Sequence, residues 1–146
     1  MNEELGYDTT GLNLTENAEG CRLTAYRDSV GVLTIGTGHT GPDVYEGMEI
    51  TQDEANALLL HDINSAIGAV KRLVKVELTQ GMFDALVDLT FNEGQGNLAA
   101  STLLKQVNAG NFAAAADEFQ KWNKAGGQVL AGLTRRRAAD EQVFLS

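Results

Sequence analysis

The spacing of the apolar residues changes once along this chain of 146 residues, and that change limits its possible folds. Residues 23–41 combine β-prone runs with turn residues, which predicts a small antiparallel sheet. From residue 51 onward, apolar residues recur at helical spacing. A first helix is predicted to begin near Thr10 and to end at Gly20, because glycine readily adopts the left-handed conformation that closes a helix. The expected architecture is α+β: one helix, a small sheet, then about five helices.

Start and stop signals divide the helical part. Thr51 and Glu54 are spaced as a capping box, in which each residue caps the other's backbone N–H. We expect one domain over residues 1–146, with residues 1–9 as a loose leader and a ligand cleft between a β lobe and a helical lobe. Other predicted boundaries are caps at Thr79, Ser101 and Asn111, a break at Gly126–Gly127, and a last helix from about Thr134 to Leu145.

The charge of the chain excludes several kinds of partner. Eleven basic residues against 20 acidic ones give a net charge of −9, which would repel nucleic acids and anionic membranes. No apolar run approaches the roughly 20 residues of a membrane span, and the acidic N-terminus is unlike a signal peptide. We therefore expect synthesis in the cytoplasm without a signal peptide. The two histidines, His39 and His61, lack the spacing of metal ligands, so no metal or cofactor is expected.

Two acidic residues occupy different predicted environments. Glu19 is at the end of the first predicted helix, where the carbonyl end of the helix dipole, together with desolvation, disfavours a negative charge. Asp28 is at a polar turn, where hydroxyls and backbone N–H groups favour the charged form. Hydrolysis of a glycosidic bond needs one carboxyl group of each kind. This pair alone is weak evidence, because most of the 20 acidic residues are expected to be surface charges.

A longer motif contains both acids. Glu19, Asp28 and Thr34 are separated by nine and then six residues, within a string that continues through Gly36-x-Gly38-His39-Thr40. This string resembles the signature of the phage T4-type lysozymes, glycoside hydrolase family 24, and looks most similar to the endolysins of P22-like phages. The resemblance covers about residues 12–146 and includes Phe91-Asn92-x-Gly94, Trp122 and Gly132-Leu133-x-Arg135-Arg136-Arg137.

The resemblance implies a lysozyme-like fold and a phage endolysin. Such an enzyme is a monomeric, cofactor-free muramidase that hydrolyses the β-1,4 bond between N-acetylmuramic acid and N-acetylglucosamine in peptidoglycan and so lyses the host. By the same resemblance, Glu19 matches the general acid and Asp28 the second carboxylate. Thr34 matches the hydroxyl that positions the attacking water. The family is regarded as inverting.

Four further residues receive roles from the resemblance. Arg135 matches the arginine that faces the catalytic glutamate across the cleft, with Arg136 as the alternative because the register there is uncertain. The triple arginine is otherwise interpreted as a solvated helix start. Asn92 is a candidate sugar-binding amide, or else a helix C-cap. His39 is expected to pair with Asp62 in a role that supports folding rather than catalysis.

Two other functions are compatible with the same motif. The chain could be a non-catalytic relative that only binds peptidoglycan, although it retains both Asp28 and Thr34. It could also act on a related glycan such as chitin. If it is an endolysin, its substrate is the periplasmic cell wall. Its N-terminus lacks the anchor that some phage lysozymes use for export, so we expect release to depend on a holin-type membrane lesion.

Overall fold

The small antiparallel sheet predicted over residues 23–41 is present in the computed structural model, which describes residues 1–146, and it has three strands. Helices before and after the sheet complete the predicted α+β order. The elements are α1 (Thr9–Glu19), β1 (Arg22–Arg27), β2 (Leu33–Gly36), β3 (His39–Thr40), α2 (Gln52–Leu73), α3 (Gln80–Glu93), α4 (Gln95–Ala99), α5 (Thr102–Asn108), α6 (Phe112–Glu118), a 3₁₀ turn (Phe119–Lys121), β4 (Lys124–Ala125), β5 (Gln128–Val129) and α7 (Ala131–Phe144). None of these helices is long and apolar enough to cross a membrane.

The chain divides into two units, which we describe separately. Unit 2, Leu12–Asn64, contains the sheet in the order β1-β2-β3. Gly20 closes α1 as predicted, with a φ of 78° and a backbone hydrogen bond of 2.8 Å to the carbonyl of Glu16. Thr51 and Glu54 form the predicted capping box at the start of α2, with two hydrogen bonds of 3.1 Å. The sheet is therefore flanked in sequence by two well-defined helix ends.

Unit 1, Met1–Gly11 and Ser65–Ser146, is built around α3. Every residue from Phe83 to Thr90 is buried, so this helix has no solvent-facing side in its middle turns. α7 packs on α3, and the rings of Phe119 and Phe144 lie 5.4 Å apart beside them. Thr79 and Ser101 cap α3 and α5 as predicted. This core also contains buried charged side chains of α3 and α7, which are described below.

The first residues of unit 1 are anchored, contrary to the expectation of a loose leader over residues 1–9. Asn2 is only 5% exposed. Its side-chain amide donates to the carbonyl of Val76 at 2.9 Å and accepts from the N–H of Leu78 at 3.0 Å. No local pattern predicts this anchoring, because a polar residue near a chain end is usually solvated.

Three boundaries in the last third of the chain differ from the prediction. Asn111 precedes α6 but makes no side-chain cap, since its amide donates to Gln106 instead. Gly126 and Gly127 form a two-residue turn between β4 and β5, with φ values of 58° and 79°, so the predicted break is a short hairpin. α7 begins at Ala131, about one turn earlier than predicted. The triple arginine consequently lies in its second turn rather than at its start.

Candidate active site

Glu19, the predicted general acid, is the last residue of α1. A Cβ built on Gly38 would lie 3.7 Å from its Oε2, so the carboxyl group lies beside the turn between β2 and β3. Gly38 has a φ of 73°, a conformation that other residues rarely adopt, and it keeps this side of the carboxyl uncrowded. Glu19 is exposed, so the desolvation expected for it is not observed. Its position at the carbonyl end of a helix remains as predicted.

Asp28, the predicted second carboxylate, follows β1 at the start of the β1–β2 turn. Its Oδ1 accepts hydrogen bonds of 2.9 Å from the backbone N–H groups of both Val30 and Val32. Gly31 makes the turn possible with a φ of 86°. The backbone donors predicted around this carboxylate are thus present. They fix the orientation of the group and use only one of its two oxygens.

Thr34 lies on β2 and is almost completely buried. Its hydroxyl donates to the carbonyl of Val32 at 2.9 Å, so its oxygen can accept a further hydrogen bond. Thr34 is directly opposite Tyr26 in the β1–β2 pair. Asp28 follows the end of β1, and its backbone N–H donates to the carbonyl of Val32 at 2.9 Å. Both predicted residues therefore belong to the same β1–β2 hairpin.

His39 pairs with its predicted partner and with a second acid that the sequence analysis missed. Its Nδ1 lies 2.7 Å from Oδ2 of Asp62, and its Nε2 lies 2.8 Å from Oδ2 of Asp43. Burial lowers the pKa of His39, but the hydrogen bonds to Asp62 and Asp43 outweigh that effect and raise it above the ordinary value. The hydrogen bond from His39 lowers the pKa of Asp43. Both ring nitrogens must donate to satisfy two carboxylates, which requires the charged imidazolium.

The three consecutive arginines of α7 have different environments. Arg135 is exposed, whereas Arg136 and Arg137 are buried. Arg136 makes a bidentate contact with Asp88 of α3, at 2.8 Å and 3.1 Å. The interpretation as a solvated helix start is therefore wrong for Arg136 and Arg137. Arg136 therefore joins α7 to α3 through Asp88, whereas Arg135 lies on the solvent-exposed side of the same helix.

Arg137 is the hub of a buried polar cluster. Its Nη2 donates to Oδ1 of Asn92 at 2.8 Å, its Nη1 lies 3.5 Å from Glu93, and its Nε lies 3.1 Å from Asp140. Burial, together with the nearby Asp88, raises the pKa of Asp140 well above its ordinary value. The sequence analysis missed this cluster. The spacing of Arg137 and Asp140 on one helix was the available signal.

Asn92 is held by this cluster rather than serving as a helix cap. α3 continues to Glu93, and Gly94 closes it by donating to the carbonyl of Thr90 at 2.8 Å. The interpretation of Asn92 as a C-cap is therefore wrong. Because Arg137 occupies its carbonyl oxygen, the orientation of the Asn92 amide is defined.

Comparison with known proteins finds phage lysozymes and endolysins that are similar to this chain. A family model described as Phage lysozyme matches residues 16–140. The endolysin of Bacillus phage B103 is 45% identical over 138 residues, which is 93% of this chain and 52% of that protein. The chain thus spans about half the length of the Bacillus phage relatives that it matches. The endolysin of Salmonella phage P22 is 43% identical, with 94% and 97% of the two chains covered.

A solved structure extends the comparison to three dimensions. The crystal structure of a variant of P22 lysozyme superposes with a TM-score of 0.91 and is 41% identical in sequence. The match covers 97% of this chain and 99% of that one. The chain therefore has the lysozyme-like fold.

Proposed function

The chain belongs to the phage lysozyme family, and from this premise we propose that it is an endolysin whose activity is that of a muramidase. Its substrate is the glycan strand of bacterial peptidoglycan. The reaction is hydrolysis of the β-1,4 bond between N-acetylmuramic acid and N-acetylglucosamine, and its consequence is lysis of the host cell. The chain acts as a monomer and needs no cofactor.

The observation that carries this proposal is the different placement of two carboxyl groups in unit 2. Glu19 is an exposed residue at a helix C-terminus beside the Gly38 turn. Asp28 is fixed by two backbone N–H donors in a hairpin. A glycosidase needs one carboxyl group that delivers a proton and another that remains an oriented carboxylate. These two residues match those requirements.

In the proposed reaction, the protonated carboxyl of Glu19 gives its proton to the glycosidic oxygen as the bond to the anomeric carbon breaks. A water attacks that carbon from the opposite side of the ring and transfers a proton to Asp28. Since Oδ1 of Asp28 already accepts two backbone hydrogen bonds, Oδ2 is the oxygen assigned to this proton. Thr34 donates its own hydrogen to Val32, so it binds this water as an acceptor. The product has the inverted configuration.

We assign glycan binding to Asn92 and Arg135, both in unit 1. Arg137 occupies the carbonyl oxygen of Asn92, which leaves the two amide hydrogens to donate to sugar oxygens. Arg135 is exposed on α7, and its guanidinium suits the carboxylates of peptidoglycan. Because the net charge of the chain is −9, local cations such as Arg135 are important for its approach to an anionic polymer.

The first experiment measures clearing of outer-membrane-permeabilised Gram-negative cells by the purified protein. Wild type is compared with Glu19→Gln, which removes the acid, and with Glu49→Gln, a matched change at another exposed glutamate of unit 2. We expect clearing by wild type and Glu49→Gln but not by Glu19→Gln, with all three folded. If wild type binds purified sacculi without clearing cells, the chain is a binding module and the enzymatic proposal fails.

Access to the cell wall is a separate part of the proposal. We infer synthesis in the host cytoplasm, followed by release to the periplasmic wall through a holin-type membrane lesion. Expression of this chain alone should leave intact cells unlysed, whereas addition of a membrane-permeabilising agent should trigger lysis. Lysis by the chain alone would show that no holin is required.

A further inference from the structure

Two segments of unit 1 contain no acidic residue, although the chain has 20 of them. They are residues 65–76, at the end of α2, and residues 94–116, which include α4 and α5. All the charged residues of these segments are basic: Lys71, Arg72, Lys75 and Lys105. The net charge of −9 is therefore unevenly distributed along the chain.

The fold brings the two segments together where α2 and α5 end. The side-chain amide of Asn108 donates to the carbonyl of Leu73 at 3.1 Å, and its oxygen accepts from the backbone N–H of Lys75 at 2.7 Å. Lys105 is three residues before Asn108, so the two residues are on the same side of α5. The basic patch is defined by four side chains, of which all but the first are exposed: Lys71, Arg72, Lys75 and Lys105.

The cations of the basic patch are held in place by neutral groups. Nζ of Lys71 donates to the carbonyl of Glu3 at 3.0 Å. Nζ of Lys75 donates to the carbonyl of Arg72 at 2.7 Å, and Nη2 of Arg72 donates to the side-chain oxygen of Gln95 at 2.7 Å. None of the four patch residues forms an ion pair with a carboxylate. Because an ammonium group has three N–H donors and a guanidinium five, these cations retain donors for an anion.

The absence of counter-charges is particular to this surface. Two exposed cations elsewhere are paired with acids, since Arg27 contacts Glu46 at 3.1 Å and Lys121 contacts Glu118. The helix dipole favours a basic residue in the last turn of α2 and of α5. It does not account for four cations together, because like charges on neighbouring turns repel one another. The positive charge of the patch is therefore available to an anion from outside the chain.

We propose that the basic patch binds the carboxylates of the peptides attached to peptidoglycan, an inference that rests on the proposed function. The patch is bordered by acids, since Glu77 follows Lys75 by two residues. A nucleic acid or a flat anionic membrane would extend over those acids and be repelled by the net charge. Separate carboxylates on short peptides avoid this repulsion and form charge-assisted hydrogen bonds with lysine and arginine. The patch thus holds the enzyme on the wall through peptides, whereas the residues assigned above bind the glycan.

The test measures co-sedimentation of the full chain with purified sacculi. Every protein in this assay carries Glu19→Gln, so that the wall is not degraded during the measurement. We expect binding to weaken as the salt concentration rises from about 0.01 M to about 1 M, because the Debye length falls from about 30 Å to about 3 Å. Removal of the peptides with an amidase should also weaken binding at low salt. Equal binding to intact and peptide-free sacculi would overturn the proposal, as would tighter binding to vesicles of anionic phospholipid than to sacculi.

Paired substitutions separate the patch from the net charge. Lys75→Gln with Lys105→Gln should lower the affinity for intact sacculi at low salt at least about threefold, as expected for the loss of two exposed ion pairs. Lys75→Arg with Lys105→Arg keeps both charges and should bind as the parent does. Lys121→Gln with Lys124→Gln changes the net charge equally at exposed residues outside the patch and should have little effect. Equal weakening by the two glutamine pairs, or unchanged affinity in a folded Lys75→Gln, Lys105→Gln protein, would exclude the patch.

Failure of this proposal differs from failure of the proposed function. With Glu19 restored, the glutamine pair at the patch should hydrolyse soluble, peptide-free glycan strands at the rate of wild type and clear permeabilised cells more slowly. If wild type clears cells and the patch variant binds and clears equally well, only the patch is excluded. If wild type does not clear cells, the muramidase proposal fails, and sedimentation of the Glu19→Gln proteins still decides whether the patch binds the peptides.

Discussion

The two units of the molecule use charged side chains in opposite ways. In the β1–β2 hairpin of unit 2, Asp28 is only partly buried and receives its hydrogen bonds from backbone N–H groups. In the α3–α7 core of unit 1, Asp88 and Arg137 are fully buried and their partners are other charged side chains. A carboxylate whose Oδ1 accepts backbone N–H groups has its second oxygen available for a reaction, whereas the charge of a carboxylate paired with arginine is already neutralised. The first arrangement suits a reaction, and the second joins two helices.

The same contrast is visible within three consecutive residues. Arg135 is exposed on α7, while Arg136 and Arg137 turn towards α3 and are buried. Adjacent positions on a helix point in directions about 100° apart, so one run of identical residues serves both solvent and core. A charged run in a sequence therefore has no single interpretation. Substitution of individual members separates their roles.

The largest change in stability is expected from Arg137→Leu. This substitution leaves Asp140 and Glu93 without their arginine and removes the donor to Asn92. Breaking a buried ion pair by removing one partner costs about 3–5 kcal/mol in the free energy of unfolding. Urea unfolding followed by circular dichroism measures the loss. An effect below about 1 kcal/mol would mean that the cluster does not join α3 to α7.

Arg135→Leu is the matched control two residues away on the same helix. Because Arg135 is exposed, this change should alter the free energy of unfolding by no more than about 0.5 kcal/mol. It should nevertheless weaken binding to sacculi, since we assign Arg135 to the glycan. A stable variant with unchanged sacculus binding would remove Arg135 from the proposed site.

Asp28→Asn should separate activity from stability in unit 2. The amide oxygen of asparagine still accepts the N–H groups of Val30 and Val32, so folding is expected to change little. It no longer accepts a proton from water, and loss of a general base lowers the rate by about 10²–10⁴-fold. Clearing rates at equal folded concentration test this prediction. Retention of more than about half the rate would exclude Asp28 as the base.

The sequence predicted the local structure around Glu19, Asp28 and Thr34 well because its signals are local. A helix-ending glycine, a turn acid and a β-strand threonine each depend on neighbours within a few residues. Glu19, Asp28 and Thr34 consequently lie where the pattern placed them. The exposure of Glu19 was not predictable, because burial depends on residues that are distant in sequence.

The sequence predicted the long-range contacts of unit 1 poorly, because they join residues that are far apart in the chain. Arg136 reaches Asp88, 48 residues away, and Asn2 bonds to the chain 74 and 76 residues away. No local pattern specifies such pairs. The triple arginine was therefore interpreted as solvated, and the N-terminus was expected to be loose. α7 was predicted to begin late for a different reason. Gly132 lies in its first turn, where glycine normally disfavours a helix.

The smallest predicted effect concerns His39, a buried side chain of unit 2 that is paired with carboxylates, as the buried charges of unit 1 are paired with one another. Its pKa in the folded chain is raised above the ordinary value of 6.5, so its contribution to stability is complete below pH 6.5 and is lost as pH rises through the folded pKa. The pKa of Asp43 is lowered from 3.8, so its contribution is present above that pH and is lost in acid. The cluster should stabilise the chain most between about pH 4 and 6.5.

His39→Gln should therefore reduce the free energy of unfolding by about 1–2 kcal/mol near pH 5.5, with a smaller reduction as pH rises past the folded pKa. His61→Gln, a change at the exposed second histidine, should show no such pH dependence. Activity per folded molecule should be the same in both variants and wild type, because His39 is engaged by Asp43 and Asp62 rather than by the proposed substrate. A normally stable His39→Gln protein with reduced activity would instead place His39 in the reaction. It would also show that buried, paired charges in this chain are not confined to holding the fold together.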